Sequence, residues 1–279
     1  MKNISIFFNF AYTFIGDIMD FEVGDYVTRN SYDNDIVFVI TEIIDNIYYL
    51  KGMNVRLCAD SPLDDLKKHE KKDVNLEEEE YLKRIKPVKT LDREDYFYLP
   101  GKILHIDGDS DYLKRCLKYY EEANIWAIGI NEVESNVPKR IYSLLEEYNP
   151  NIVVITGHDA YYKRKGNKND ILAYKNSNNF KEAIKQARKY EKSHEKLIII
   201  AGACQSDYEE LIKAGANFAS SPKRINIHAL DPAVIATKMS LADINTDIDL
   251  KSILEHTKYG PNGIGGIKTK GTMYMGYPR

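Results

Sequence analysis

The chain has 279 residues, 43% hydrophobic and 29% charged, with a net charge of −3 and an isoelectric point near 6.1. That is ordinary globular composition with length enough for a large buried core, and 39 basic against 42 acidic residues leave no basic surplus for nucleic acid. The three cysteines, Cys58, Cys116 and Cys204, include no C-x-x-C pair, which argues against a disulfide framework or a cysteine-zinc site and fits a reducing cytoplasm.

The N-terminal apolar stretch is broken at Asn9 and is too short to span a bilayer. No small-x-small cleavage site follows it. Met19 stands just before the first strand pattern, so translation is expected to start there, with residues 1–18 as an upstream extension.

Residues 19–60 read as a small β-barrel. "FEVGDYVTRNSY", "DIVFVITEII" and "IYYLKG" are short runs rich in Val, Ile, Tyr and Phe, parted by Gly, Asn and Asp turns. Residues 61–98 read as a charged helical linker, with Ser61 as N-cap, Pro62 at the first helical position, and solvated blocks "KKHEKK" and "EEEE". From residue 99 to 279 strand and helix alternate. The strands are "KILHID", "IWAIGIN", "NIVVITG", "KLIIIAG" and "NFASSP", and amphipathic segments separate them. This rhythm predicts a doubly wound α/β domain, because strands buried on both faces read as continuous apolar runs. No phosphate-loop or dinucleotide glycine motif is present.

In such sheets, sites form beyond the carboxyl ends of the strands. There stand Asp107 and Asp109 after the first strand, His158 and Asp159 after the third, and Cys204 and Gln205 after the fourth. His158 and Cys204 end consecutive strands, 46 positions apart (204 − 158). An imidazole at an adjacent strand tip can activate a thiol as nucleophile. Small residues at Ala201-Gly202-Ala203 would expose that thiol, and free N–H groups from Gln205 onward would favour the thiolate. The order and spacing match the caspase-type arrangement of a histidine about 50 residues before an Ala-Cys motif. There the histidine is followed by glycine, whereas here Gly157 precedes His158 and Asp159 follows it. The oxyanion hole is accordingly assigned to the N–H groups of Cys204 and Asp159.

Asp107 and Asp109 could line an acidic specificity pocket for Arg or Lys, while Asp109 could equally cap the next helix. Cys58 and Cys116 read as structural, and His228 as an alternative base. No metal-ligand cluster or cofactor motif is seen, so none is expected.

The stretches "PGKILHIDGDSDYLKRCLKYY", "VVITGHDAYY", "IIIAGACQSDYEELIKAGANFASSPKRINIHALDP" and "GIGGIKTKGTMYMGYP", with "GDYVTRNSYDNDIVFVI" and "LKGMNVRLCADSPLDDL", resemble the YabG family of sporulation-specific peptidases of endospore-forming bacteria. The resemblance covers the chain from about Met19. It implies a cysteine endopeptidase with Cys204 and His158 at the family's catalytic positions and cleavage after Arg. It implies location in the mother-cell cytoplasm at the developing spore coat. Its substrates would be coat and cortex-associated proteins, including the morphogenetic proteins SpoIVA and SafA, and precursors of germination proteins. Self-cleavage would be expected in the charged stretch 61–93. Two other readings remain: a non-catalytic spore-coat scaffold, and a small-molecule hydrolase or transferase using Asp107, Asp159 and Asp231.

Overall fold

The computed structural model describes residues 21–69, 76–87 and 96–277. The upstream extension 1–18 and part of the charged linker lie outside these residues.

The N-terminal unit is an antiparallel sheet of β1 (Tyr26–Arg29), β2 (Phe38–Ile44), β3 (Ile47–Gly52), β4 (Cys58–Pro62) and β5 (Leu66–Lys68), in the order β4-β3-β2-β1-β5. Strand β3 alternates buried Tyr48 and Leu50 with exposed or half-buried neighbours, as a half-buried strand must. Among the described residues no ladder joins β4 to β5, so the closure expected of a barrel is not among its pairings. Ser61 and Pro62 do not start a helix. They pair with Tyr48 and Ile47 at the sheet edge, where proline's missing N–H costs no ladder bond, and a single 3-10 turn leads into β5. The helical stretch of the linker is α1 (Leu76–Arg84). A short strand β6 (Phe97–Leu99) closes the segment.

The larger unit follows as β7 (Ile103–Asp107), α2 (Ser110–Glu122), β8 (Ala127–Asn131), α3 (Val137–Tyr148), β9 (Ile152–Thr156), α4 (Ser177–Tyr190), β10 (Ile198–Ala201), α5 (Tyr208–Ala214), β11 (Phe218–Ser220), α6 (Asp231–Leu241), α7 (Leu250–Glu255) and β12 (Ile264–Gly266). A last strand, β13 (Tyr274–Gly276), pairs with β6. The main sheet runs β12-β11-β10-β9-β7-β8, parallel except for the β11–β12 pair. All five residues of β7 and of β9 are buried. Alternate residues serve opposite faces. Ile103, Val154 and Ile200 meet Cys116, Tyr120 and Ile235 of α2 and α6, while Leu104, Val153 and Ile199 meet Ile141, Leu145 and Phe180 of α3 and α4. This two-layered burial is the physical reason the strands read as unbroken apolar runs.

Chain order reverses between β7 and β9, and the register sets Asp107 beside Thr156 and Ile155 beside Ala201. The tips of β7, β9 and β10 therefore open on one crevice, the usual place for a site in such a sheet. The small sheet covers it: Cys204 and Ile227 share a core cluster with Val27, Phe38 and Leu50 of the N-terminal unit.

Candidate active site

Cys204 lies where the sequence places it, at the tip of β10, but it is fully buried. Its sulfur accepts the Ile227 N–H at 3.3 Å and lies 3.7 Å from the Ile227 carbonyl oxygen. Burial pushes the thiol up to about 12, so it is a neutral thiol at pH 7. The expected help from a helix N-terminus is not there. Helix α5 begins only at Tyr208, with Asp207 as its cap, and the Gln205 N–H is used by Ser221 Oγ at 2.9 Å and the Ile225 carbonyl at 3.1 Å. Gln205 has φ of 60°, and its side chain accepts from the Tyr161 N–H at 3.3 Å and reaches Asn226 Oδ1 at 3.4 Å. The Cys204 and Asp159 N–H groups have no acceptor among the described residues.

His158 sits at the tip of β9. Its Nε2 is 3.0 Å from Asp109 Oδ2, and its ring packs 5.5 Å from the Tyr112 ring. Its backbone N–H donates to Glu134 Oε1 at 2.8 Å. Gly108 and Gly157 flank Glu134 so closely that a Cβ on either would collide with its carboxylate. Burial works against a charged imidazole, but the Asp109 hydrogen bond and the neighbouring Cys58 thiol raise its pKa to about 9. His158 is therefore an imidazolium paired to Asp109 at neutral pH, and its Nδ1 makes no hydrogen bond.

Asp109 also caps α2, accepting from the Asp111 N–H at 2.9 Å and the Tyr112 N–H at 3.1 Å. Lys51 Nζ approaches it at 2.6 Å. Burial opposes its ionisation, yet these donors and His158 hold its carboxyl well below the usual range. Capping and the site are thus both served by one side chain.

Asp107 is occupied by a residue that sequence reasoning missed. Arg56, in the loop between β3 and β4, is fully buried, and its Nη1 lies 2.7 Å from Asp107 Oδ2. Nε and Nη2 donate to the Ala229 carbonyl at 3.1 and 2.9 Å, and the guanidinium lies 5.1 Å from the Tyr112 ring centre. Thr156 Oγ1 donates to Asp107 Oδ2 at 2.9 Å, and the Asp109 N–H to Oδ1 at 2.9 Å. Burial would raise the Asp107 carboxyl, and the Arg56 charge brings it down to about 2. The Arg56 backbone is held as well. Its N–H donates to the Ile227 carbonyl at 3.3 Å and also faces the Cys204 sulfur, and the Ala229 N–H donates to the Asn54 carbonyl at 3.0 Å. Val55 and His228 form the antiparallel bridge between those bonds. The signal that could have found it is the pairing of an expected arginine pocket with an arginine in "GMNVRLCAD".

The remaining candidates are structural. The Asp159 carboxylate binds Ser177 Oγ, Ser206 Oγ at 2.9 Å and the Asn176 N–H at 2.7 Å, and so ties the loop after Cys204 to the start of α4. His228 has both ring nitrogens engaged, Nε2 with Glu78 at 2.7 Å and Nδ1 with the Leu230 N–H at 3.1 Å, which removes it as a free base. Asp231 accepts from the Tyr81 hydroxyl at 2.6 Å and from the His228 and Lys258 N–H groups. Cys116 is buried in α2, while Cys58 stands beside His158. No group of three or more metal-capable side chains occurs among the described residues. A cleft of about 630 Å³ continues from the site, lined by Met53, Val55, Gln205, Asn226, His228 and Lys258.

A family model described as YabG peptidase U57 matches residues 22–278. The sporulation-specific protease YabG of Bacillus subtilis (strain 168) is 41% identical over 289 residues, covering 93% of this chain and 99% of that protein.

Proposed function

We propose, from the premise that the chain belongs to the YabG peptidase U57 family, that this peptidase is a cysteine endopeptidase that cuts after arginine with Cys204 as nucleophile and His158 as base. One observation carries the reading. An arginine is fully buried on Asp107, and its backbone amide faces the Cys204 sulfur. The Arg56 N–H donates to the Ile227 carbonyl at 3.3 Å while the Cys204 sulfur accepts the Ile227 N–H at 3.3 Å, so a substrate arginine held this way has its backbone beside Cys204.

In its neutral form His158 takes the thiol proton as Cys204 attacks, then gives it to the leaving amine, and water hydrolyses the resulting thioester. Asp109 orients the imidazole. The free N–H groups of Cys204 and Asp159 stabilise the oxyanion. Asp107 selects arginine through a buried charge-assisted bond, and Gln205 with the adjoining cleft receives the residues before it. That His158 and Cys204 follow the adjacent parallel strands β9 and β10 supports reading the larger unit as caspase-like. The natural substrates are proteins of the spore coat and cortex in the mother cell.

A second reading follows from the Cys58 thiol, which stands beside His158. The two separate on one experiment: wild type, Cys204→Ala, His158→Ala and Cys58→Ala on one arginine-containing coat protein, read by product mass. Loss of about a thousandfold or more for Cys204→Ala and His158→Ala, with Cys58→Ala within a few-fold of wild type, supports the dyad. Activity retained in Cys204→Ala and lost in Cys58→Ala moves the nucleophile to Cys58.

A further inference from the structure

We propose that the Arg56–Leu57 peptide bond is cut by the chain's own Cys204, and that residues 54–57 fill the substrate groove until that cut. The inference rests on the assignment of Cys204 as nucleophile.

The loop between β3 and β4 needs only to turn the chain, yet it buries a guanidinium. Taking such a charge out of water costs several kcal/mol unless a matched partner receives it. Here Asp107, the Ala229 carbonyl and the Tyr112 face receive it from three sides. The backbone on the N-terminal side of the bond lies as an added antiparallel strand. Asn54 and Arg56 bond to Ala229 and Ile227, and Val55 pairs with His228 between them. Extended peptides commonly bind by adding a strand in this manner.

The other side of the bond is held too. The Leu57 carbonyl accepts the Gly52 N–H at 2.8 Å, and Leu57 is buried. The Tyr112 hydroxyl donates toward the Gly52 and Val55 carbonyls. Cys58, the next residue, reaches His158. The Leu57 nitrogen, which becomes the leaving amine, thus lies in the chain between the residue at Cys204 and the residue at His158.

The step balances with water as co-reactant. In the minority of molecules whose His158 is neutral, Cys204 sulfur bonds to the Arg56 carbonyl carbon as its proton passes to that imidazole, so the cut is slow in the covered state. The Arg56–Leu57 C–N bond breaks, with its electron pair and that proton going to the Leu57 amine. Water then releases Arg56 as a carboxylate and returns Cys204 to the thiol. The β3–β4 ladder, Ile47 through Lys51 against Cys58 through Pro62, keeps the two pieces together, so the cut shows only under denaturing conditions.

The full chain is incubated as wild type, Cys204→Ala, Arg56→Gln and Arg56→Lys, then read by denaturing intact mass and N-terminal sequencing. In parallel, each hydrolyses a blocked arginine peptide bearing a coumarin leaving group. The expected result is a new N-terminus at Leu57 in wild type, with peptide hydrolysis that lags until it appears. Arg56→Gln shows neither cut nor lag. Arg56→Lys keeps the buried positive charge and the fold, and is cut at least tenfold more slowly, so it carries the comparison if Arg56→Gln does not fold. Wild type that hydrolyses the peptide while the Arg56–Leu57 bond stays intact overturns the proposal. Peptide hydrolysis by Cys204→Ala overturns instead the catalytic assignment beneath it.

Discussion

Replacing Asp107 with asparagine keeps the side chain's shape and removes its charge. The carboxylate is fully buried, and the Arg56 guanidinium lies 2.7 Å from Oδ2. Burial works against its ionisation, but Arg56 lowers it from 3.8 to about 2. At about 1.4 kcal/mol per pH unit, that difference amounts to about 2–3 kcal/mol of stability at neutral pH. The sign follows from the direction. A carboxyl depressed on folding contributes above its unfolded pKa and loses that contribution as pH falls from near 4 through 2. Breaking a buried pair by removing one partner costs about 3–5 kcal/mol, since Arg56 is left uncompensated. The two figures describe one interaction and meet at about 3 kcal/mol. The assay is urea unfolding at pH 7 of Cys204→Ala against Cys204→Ala/Asp107→Asn, where the chain stays whole. In active enzyme the same substitution should lower the ratio of kcat/KM for arginine over glutamine peptides about 100-fold, the same energy at about 1.4 kcal/mol per decade. A stability loss under about 1 kcal/mol, with arginine preference intact, would refute the pocket.

Two further outcomes are expected. His158 is raised from 6.5 to about 9, mainly through Asp109 once burial is overcome, so its pairing stabilises the uncut chain fully below 6.5 and less as pH rises through 9. Thermal melts of Cys204→Ala should fall across that window, and Asp109→Asn should flatten the fall; a flat profile in the parent breaks the assignment. Gly157→Ala puts a Cβ into the Glu134 carboxylate that holds the His158 N–H, and should cost about 1–3 kcal/mol and reduce turnover. Wild-type stability and rate would show that Glu134 moves aside freely.

The sheet was legible because its strands are buried on both faces. Leu104 and Ile106 serve one helical layer while Ile103 serves the other, and no polar residue interrupts the β9 run until Thr156. The positions of His158, Asp109 and Cys204 at strand tips followed from that pattern alone. Their electrostatics did not, because these depend on what covers them. Arg56 and the Ala229 carbonyl it bonds are 173 positions apart, and no local periodicity encodes such a contact. Ser61 failed as a helix cap for a related reason: its Ser-Pro signal is local, whereas its pairing with Tyr48 is tertiary and wins.

The covering segment also accounts for the protonation of the site. With residues 54–58 in place, burial holds Cys204 as a thiol near 12, and His158 is an imidazolium near 9 beside Cys58. Thiol attack needs the opposite: an imidazole free to accept and a sulfur near enough to water and dipoles to give up its proton. Lys51 and Cys58, register partners across β3 and β4, stand on Asp109 and His158 from the same loop that carries Arg56 to Asp107. Lifting one loop would therefore readmit solvent to Cys204, take Lys51 from Asp109 and Cys58 from His158, and empty the arginine pocket together. On the proposed mechanism, occupancy of the pocket and readiness of the dyad are coupled because a single hairpin, β3 to β4, touches all four groups.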